Sequence, residues 1–323
     1  MLLSVIIPAY NCEKTIMQAI KSTGVYSNNQ IEVIVVNNGS QDRTEELVKK
    51  KARGQKNIIY AESEKGVSNA RNKGIEIATA RWITFLDADD YLINFENNNN
   101  LLKELVKCSE DLIICNYFVN SSKINLYSMT NNQNDKIKVI RQMLENPTKY
   151  LTVWGKFYRT DLVKNENIKF DNKLLYSEDS EFLLNYLLIC NRLVFINYYV
   201  YKYVLSENST VRKYNPQLAQ EYEKAICKIK EDLIEYPEFE SSLYIFILMQ
   251  VNLIMVHNVF LSKNALAKLK KICNKDYIQE ALSKISLKSI LTLRLLPFVF
   301  CKYHCYICAG IIYKLRVIQN HYK

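Results

Sequence analysis

The chain has 323 residues, and its 49% hydrophobic content argues against an intrinsically disordered protein because it can supply a sizeable core. Its 43 Lys and Arg residues exceed its 33 Asp and Glu residues, and the formal net charge of +10 favours an anionic partner such as phosphate, nucleic acid or a membrane surface. Residues 281–323 contain no acid, so most of the positive excess lies at the C-terminal end.

The N-terminal sequence MLLSVIIPAYN lacks the basic start, long apolar core and cleavage site of a secretory signal, so we expect a cytosolic chain. Nine cysteines, an odd number found mostly in apolar segments, are then expected to be reduced. Cys301, Cys305 and Cys308 match the C-x3-C-x2-C spacing of some iron–sulfur ligands. We favour chance spacing in an apolar helix, because no glycine-rich segment follows them.

Strands and helices alternate over the first ninety residues. Short apolar runs rich in β-branched residues predict four buried strands, at 2–8 (LLSVIIP), 31–36 (IEVIVV), 57–62 (NIIYAE) and 81–86 (RWITFL). Helical apolar spacing follows the first three runs, with Asn11 and Asp42 as the expected N-caps of the first two helices. This order predicts a mostly parallel sheet with helices on both faces.

The second part of the chain has a different pattern. Residues 94–135 are rich in Asn and Ser and predict loops around one strand at 111–118. Helices are predicted at 150–163 and 175–190, and the aromatic segment at 195–205 is predicted to be an edge strand. After about residue 215 the pattern is helical to the end, without an internal repeat.

Polar residues follow three of the predicted strands, with PAYN at 8–11, NNGSQD at 37–42 and DADD at 87–90. Open parallel sheets bind ligands beyond the carboxyl ends of their strands. The three acids of DADD cannot all ionise at low cost without a cation, which a hard divalent metal shared with phosphate oxygens would supply. The alternative is a solvated, capped turn. No dinucleotide-binding glycine motif and no P-loop is present.

Four blocks in a fixed order carry a family resemblance: SVIIPAYN, EVIVVNNGSQDRT, GVSNARNKGIEIATARWITFLDADD and YSEDSEFLLNYL. Together they resemble the family 2 glycosyltransferases with the GT-A fold, as found in bacterial surface-polysaccharide synthesis. The resemblance implies a Rossmann-like, mostly parallel sheet flanked by helices. It covers roughly residues 3–212 and implies a catalytic domain at 1–214, with a nucleotide-sugar-binding half at 1–93 and an acceptor-binding half at 94–214. The helical C-terminal region at 215–323 is not covered by the resemblance.

The resemblance also implies the residues that hold the donor nucleotide. Pro8, Ala9, Tyr10 and Asn11 belong to the segment beside the base and the ribose. Asn38 stands where many members have an Asp that accepts a hydrogen bond from uracil, and an amide can still pair with a pyrimidine edge. We expect the donor to be a nucleoside-diphosphate sugar, and a UDP-sugar is the first candidate. The sequence does not decide whether the base is uracil, thymine or guanine.

Further donor residues follow from the same resemblance. Gly66 offers a backbone N–H group, and Arg71 is placed near the diphosphate, where its planar guanidinium suits phosphate oxygens. Asp87, Ala88 and Asp89 form the D-x-D motif, with Asp89 as a ligand to Mg²⁺ or Mn²⁺ and Asp87 nearer the ribose or the metal's water shell. Such a metal would neutralise the departing diphosphate and lower the barrier to cleaving the sugar C1–O bond.

The acceptor side is implied in the same way. Asp179 is the expected general base for the acceptor hydroxyl, and Glu178 orients it. One base opposite the leaving group implies a single in-line displacement with inversion. Trp154 is expected to pack against the acceptor sugar, although a core position is an open alternative. Residues 206–215 are similar to a segment that closes over the donor, from which Arg212 would reach the diphosphate.

The tail at 293–317 is long and apolar, but Pro297 near its start and Lys302 and His304 near its middle argue against a membrane span. If one helix ran through Pro297, five basic residues of the tail would share about a third of its circumference. We therefore expect basic helices on an anionic membrane surface. Packing on the domain or a dimer contact is the alternative.

The sequence thus predicts an inverting, metal-assisted hexosyltransferase that moves a sugar from a nucleoside-diphosphate sugar to a glycan or lipid-linked saccharide. We expect it to be peripheral on the cytoplasmic face of the cell membrane and to have no nucleic-acid partner. A non-catalytic nucleotide-sugar-binding or scaffold protein of a polysaccharide assembly complex is the alternative. A nucleotidyltransferase is disfavoured because its glycine-rich, Arg-containing N-terminal loop is missing. The sugar, the linkage and the oligomeric state stay open.

Overall fold

The structure, a computed structural model, describes residues 1–93, 95, 99–132, 135–205 and 215–321. The predicted donor-closing segment with Arg212 falls almost entirely outside these residues. The chain forms two compact units, the first made of residues 1–136, 152–173 and 178–205 and the second of 137–151, 174–177 and 206–323. The predicted division at residue 214 stays a prediction.

The first unit is built on one sheet, which has nine strands in the described part of the chain. They are β1 (Leu3–Ala9), β2 (Ile31–Asn37), β3 (Ile58–Glu62), β4 (Trp82–Phe85), β5 (Tyr91–Leu92), β6 (Leu112–Val119), β7 (Ser122–Ile124), β8 (Lys156–Arg159) and β9 (Leu193–Tyr203). The strand order is β3-β2-β1-β4-β8-β6-β9-β5, and β7 pairs with β6.

Helices flank this sheet. They are α1 (Ile16–Ser22), α2 (Thr44–Gly54), α3 (Val67–Ile77), α4 (Asn99–Lys107), α7 (Thr160–Asn165) and α8 (Glu178–Ile189). The predicted α/β architecture is confirmed. The pairs among β1, β2, β3 and β4 are parallel, whereas β8 runs antiparallel to both of its neighbours, so the sheet is parallel in its first half and mixed in its second.

Burial explains the first strands. Every residue of β1 and β2 is buried, as the continuous β-branched runs predict for strands covered on both faces. Gly74 lets α3 lie directly on β1, because a Cβ atom there would come within 2.3 Å of Cγ2 of Ile6. This close contact fixes the position of α3, which carries Arg71.

Four local predictions are corrected. Residues 156–159, predicted within a helix, form β8, because they pair with β4 and β6 at the centre of the sheet. The segment at 195–205 is not an edge strand, since β9 has neighbours on both sides. Asn11 is no N-cap: α1 begins at Ile16, and Asn11 has a left-handed φ of 47°. Asp42 caps α2 from one residue before the N-cap position, through a 3.0 Å bond from the Thr44 amide.

The second unit is helical in its described residues, apart from short irregular segments. Its helices are α5 (Lys136–Glu145), α6 (Pro147–Tyr150), α9 (Leu218–Asp232), α10 (Glu240–His257), α11 (Ala265–Cys273), α12 (Asp276–Lys284), α13 (Leu287–Ile290), α14 (Leu296–Lys302) and α15 (Tyr306–His321). One described stretch, Pro237–Leu261, is long and apolar enough to cross a membrane, but 78% of its most apolar window is buried within the protein. We therefore treat α10 as the core helix of this unit.

The tail is not the single helix that the predicted basic face requires. It is divided among α12, α13, α14 and α15, and Pro297 lies in the first turn of α14, where its missing N–H is tolerated. Two of the five basic residues assigned to that face, Lys302 and Arg316, bond to backbone instead. Lys302 Nζ donates to the Ile285 carbonyl at 3.0 Å, and Arg316 Nη2 donates to the Leu293 carbonyl at 2.5 Å. The predicted continuous basic face is therefore wrong.

The three tail cysteines lie in different environments. Cys301 is buried, whereas Cys305 and Cys308 are exposed. In the part of the chain that the structure describes, no three His, Cys, Asp or Glu side chains converge as a metal-binding group.

Candidate active site

The carboxyl ends of β1, β2 and β4 lie at one edge of the sheet because these strands are parallel. The register pairs Ala9 with Asn37 and Ile6 with Phe85, so the polar segments that follow the three strands lie side by side. Gly66, at the N-terminus of α3, follows β3 at the same edge and has a φ of 127°, which a residue with a side chain rarely adopts.

The segments after β1 and β2 are bonded to each other. The Asn11 amide donates to Ser40 Oγ at 3.0 Å, the Gln41 amide donates to Asn11 Oδ1 at 2.8 Å, and the Asn38 amide donates to the Ala9 carbonyl at 3.0 Å. Asn11 therefore ties the two loops together. Tyr10 beside it presents its ring to solvent, with 45% of the residue exposed. This exposed ring is available to stack on a planar ligand group.

Asn38 holds an unsatisfied acceptor. The residue is buried, and its side-chain oxygen Oδ1 has no hydrogen-bond partner. The neighbouring Asn37 differs, because its Oδ1 accepts from the Ser40 amide at 3.0 Å and its Nδ2 donates to the Tyr60 hydroxyl at 3.2 Å. A buried polar atom without a partner costs free energy, so Asn38 Oδ1 is available to an N–H group of a ligand.

Arg71 joins three carboxylates. Its Nη2 lies 3.1 Å from Asp87 Oδ1, and its Nη1 lies 3.1 Å from Glu178 Oε1 and 2.6 Å from Asp179 Oδ1. Only 4% of the Arg71 side chain is exposed, and its guanidinium carbon lies 5.1 Å from the centre of the Phe170 ring. The guanidinium therefore brings together the predicted donor residue Asp87 and the predicted catalytic pair.

The negative charge of this cluster exceeds its positive charge. Burial raises the pKa of Glu178 to about 8, with a further rise from Asp179, while the Arg71 cation opposes both effects. Burial likewise raises the pKa of Asp87, again against the attraction of Arg71. Burial lowers the pKa of Arg71, but the Asp179, Asp87 and Glu178 carboxylates together raise it by more, so the guanidinium stays charged. We infer that at neutral pH the Glu178 carboxyl largely holds its proton.

The acids of DADD occupy unlike environments. Asp89 is exposed at the edge of the sheet, where it is open to a cation. Asp90 is fully buried and accepts hydrogen bonds from the Tyr201 hydroxyl at 2.6 Å and the Val204 amide at 2.7 Å. Burial raises the pKa of Asp90 to about 8. Asp90 is therefore a structural acid, whereas Asp87 and Asp89 face the site.

Trp154 lies among tyrosines, with 7% of the residue exposed. Its ring stacks on Tyr201 at a centroid distance of 4.5 Å and meets Tyr117 edge-on at 4.7 Å. An acceptor role for Trp154 stays a prediction, and it would act through the small accessible part of the ring.

Two residues of this region have no signal in the sequence motifs. Tyr201 connects the acids of DADD, because its hydroxyl donates to Asp90 and accepts from the Asp87 amide at 3.3 Å. Lys156 is a buried lysine in β8, with 1% of the residue exposed. The alternating tyrosines of β9 indicated only that one face of that strand is packed, and no motif includes Lys156. Neither residue could therefore be selected from the sequence.

The edge of the parallel sheet thus gathers Asp87 and Asp89, the unsatisfied Asn38 and the Glu178–Asp179 pair at the start of α8. Residues 4–166, half of the chain, match the sequence model of glycosyl transferase family 2, and the chain belongs to this family. The glycosyltransferase EpsJ of Bacillus subtilis is 29% identical over 231 residues, which cover 69% of this chain and 67% of EpsJ.

Solved structures share the fold. The structure of residues 1–349 of S. aureus TarS in complex with UDP-GlcNAc superposes with a TM-score of 0.69 and 20% sequence identity, covering 99% of this chain and 92% of that one. The mannosyltransferase PcManGT of Pyrobaculum calidifontis, in complex with GDP-Man and Mn²⁺, has a TM-score of 0.52 and 16% identity, covering 97% and 86% of the chains. The predicted GT-A fold is thus confirmed.

Proposed function

We propose that the protein is an inverting, metal-dependent glycosyltransferase that moves a sugar from a nucleoside-diphosphate sugar to a saccharide acceptor. The observation that carries the proposal is the contact of the Arg71 guanidinium with Asp87 on one side and with Glu178 and Asp179 on the other. One buried cation thereby joins the donor residues to the candidate base. A purely binding protein has no need for a carboxylate pair on the acceptor side.

The donor base is proposed to lie against Tyr10 and to pair with Asn38. The unsatisfied Oδ1 of Asn38 would accept a hydrogen bond from a base N–H group, which uracil and thymine both offer at N3. We therefore propose a UDP-sugar as the first donor to test. The TarS structure holds UDP-GlcNAc and the PcManGT structure holds GDP-Man, so a guanine donor should be tested beside a uracil donor.

Mg²⁺ or Mn²⁺ is proposed to bind at Asp89, with Asp87 beside it. The residues fit such an ion, because Mg²⁺ is commonly held by one or two carboxylates together with substrate phosphates and water. When bound, the ion would neutralise charge on the leaving nucleoside diphosphate. Arg71 is proposed to lie near the donor diphosphate, where it also holds Asp87 and neutralises part of the carboxylate charge in the cluster.

Asp179 is proposed as the general base. Its carboxylate keeps 22% of its side chain exposed, so an acceptor hydroxyl can reach it, while Arg71 holds its Oδ1. Glu178, partly buried and bonded to the same Nη1, would hold that guanidinium nitrogen in place. The base takes the hydroxyl proton as the oxygen attacks the sugar C1, and the C1–O bond to the diphosphate breaks. Attack opposite the leaving group inverts the anomeric carbon.

An anionic membrane surface carrying a lipid-linked saccharide is proposed as the partner of the C-terminal unit, which places the enzyme on the cytoplasmic face. The support is now an apolar stripe on α15 beside the exposed Lys314, rather than a basic helical face. Four exposed aliphatic side chains form the stripe: Ile307, Ile311, Leu315 and Ile318. Such a stripe with an adjacent lysine and no acids on the helix favours insertion among anionic lipids.

The proposed activity is tested by screening UDP-, dTDP- and GDP-sugars for donor hydrolysis and transfer, with and without Mn²⁺. Asp179→Asn should lower the rate at least about 100-fold, as loss of a general base does, while donor binding persists. The control is Asp161→Asn, which alters a first-turn helix Asp bonded to Arg159 at an exposed position and should leave the rate unchanged. Stabilisation by nucleotide without turnover would favour the non-catalytic binder.

Membrane binding is tested by flotation of the full chain with phosphatidylglycerol-containing vesicles. Ile311→Asp with Leu315→Asp should abolish flotation. Ile234→Asp is the matched control, because Ile234 is a 79% exposed aliphatic residue outside α15. Equal flotation of the stripe variant and the wild type would overturn this part of the proposal.

A further inference from the structure

The second unit carries an apolar groove that no step of the proposed reaction uses. The groove lies between α11 and α15 and has a volume of about 470 Å³, within the range of about 300–1,000 Å³ that is usual for ligand pockets. Phe260, Leu266 and Ala267 line one side, and Ile307 and Ile311 of α15 line the other. An apolar concave surface of this kind favours a ligand that brings apolar groups of its own.

Two contacts hold the walls of the groove together. Gly310 lets Leu266 of α11 lie directly against α15, because a Cβ atom at residue 310 would come within 2.6 Å of Leu266 Cδ2. The Phe260 ring packs against Tyr313, a fully buried side chain of α15, at a centroid distance of 5.2 Å. The groove is therefore part of the packed fold of this unit and is formed before any ligand binds.

Lys314 lies at one end of the groove. Ile307, Gly310, Ile311 and Lys314 recur at intervals of three and four residues, which places them on one face of α15. Lys314 is exposed and lines the groove with the other three. This face is therefore apolar along most of its length and positively charged towards its C-terminal end.

The two segments that form the groove are positively charged. Residues 261–275 contain five lysines, residues 303–323 contain two lysines and one arginine, and neither segment contains an acid. Four of the lysines near α11 are exposed: Lys263, Lys268, Lys270 and Lys271. A second copy of the chain would bring like charges together at this face, whereas an anionic ligand would be attracted to it. Charge complementarity therefore favours an anionic apolar ligand over a homodimer.

We propose that the groove binds one acyl chain of an anionic phospholipid, with the phosphate group of the lipid beside Lys314. Such a lipid supplies in one molecule the apolar chain that matches the lining and the anion that matches the lysine. The inference rests on the proposed membrane partner and deepens it. Besides inserting the exposed stripe of α15 among lipids, the second unit would hold a single lipid molecule in a formed site.

The test measures binding of a soluble lipid analogue to the full chain by calorimetry, below the concentration at which the analogue forms micelles. Decyl phosphate should bind at one site, up to about fivefold more tightly than decanol, as expected for one exposed ion pair. Inorganic phosphate alone should show no binding at the same concentration. Ala267→Trp should weaken decyl phosphate binding at least about tenfold, because the indole fills the groove. Ile234→Trp, at a 79% exposed position outside the groove, should bind like the wild type.

Lys314→Gln is the second variant, because it changes the charge at the groove and leaves the apolar lining intact. It should abolish the preference for decyl phosphate over decanol. Lys288→Gln on α13, which removes an exposed lysine outside the groove, should keep that preference. Thermal melts of all four variants show whether each one is folded.

Equal binding of decyl phosphate to the wild type and to Ala267→Trp would overturn the inference. Tighter binding of geranyl phosphate, whose branched chain has the same number of carbons, would also overturn it and assign the groove to a polyprenyl lipid. A dimer in sedimentation that Ala267→Trp dissociates would assign the groove to a second copy of the chain. None of these measurements uses a nucleotide sugar or a vesicle. A chain that binds decyl phosphate at this site but transfers no sugar would instead overturn the proposed function.

Discussion

Nη1 of Arg71 lies 2.6 Å from Oδ1 of Asp179, a contact that joins α3 to the start of α8 across 108 residues of sequence. The same guanidinium holds Asp87 through Nη2 at 3.1 Å. Any change in its position therefore affects Asp87 and the Glu178–Asp179 pair together.

Arg71→Lys should reduce transfer about 100-fold, the cost of removing one well-placed donor from a catalytic site. A lysine keeps the charge but cannot reach three carboxylates with a planar fork. Steady-state kinetics and a thermal melt check this outcome. Lys73→Met on the same helix is the control: its exposed bond to Glu76 contributes little, so both rate and melting temperature should stay near wild type. A fully active Arg71→Lys enzyme would contradict the proposed role.

Asp89→Asn should remove the effect of metal on nucleotide binding. Asp89 is the exposed acid of the D-x-D pair, and a neutral amide is a weaker ligand for a hard cation. The wild type should be stabilised by UDP more strongly with Mn²⁺ than without it, since a ligand that binds only the native state raises its stability. The variant should show equal thermal shifts in both conditions. A persistent metal-dependent shift would assign the metal to other residues.

Gly74→Ala should destabilise the first unit by about 1–3 kcal/mol, the usual cost of overpacking a close contact. The added Cβ would lie 2.3 Å from Ile6 Cγ2, so α3 would have to move away from β1. Gly54→Ala, at the end of α2, meets nothing within 4 Å and should be neutral or stabilising by up to about 1 kcal/mol. Thermal melts compare the two. Activity of Gly74→Ala should fall as well, because α3 carries Arg71.

Asp90 should make stability depend on pH. Its pKa is raised to about 8 by burial, so the folded chain holds this proton more tightly than the unfolded chain. The unfolded chain releases its proton near pH 4, and the contribution of Asp90 to stability therefore falls as the pH rises from about 4 to about 8. Asp90→Asn removes this dependence. Its melting temperature relative to wild type should increase between pH 5 and pH 8, and a constant difference would contradict this account.

The sequence predicted the fold of the first ninety residues well, because each strand and helix there has a local periodic pattern of apolar residues. β1 and β2 are continuous β-branched runs, and the helices between them repeat apolar residues at helical spacing. The prediction failed at β8, where the aromatic run around residues 156–159 fits either a helix or a buried strand. Pairing with β4 and β6 decided the outcome.

The sequence motifs selected the candidate residues but did not predict the environment of each side chain. The order of blocks pointed to Asp87, Asp89, Arg71 and Asp179, yet nothing in DADD distinguishes the exposed Asp89 from the buried Asp90. Likewise, Asn37 and Asn38 are adjacent and identical in sequence, but only Asn38 keeps an oxygen without a partner.

By itself the amino-acid sequence determined the alternation of strands and helices, the family and the polar segments that end the parallel strands, because these depend on neighbours within a few residues along the chain. Only the tertiary structure decided that Arg71 would contact Asp87, Glu178 and Asp179 together and that Lys156 would be buried in the middle of the sheet. Contacts between residues far apart in the chain depend on how strands pair and helices pack, and no local sequence pattern predicts them.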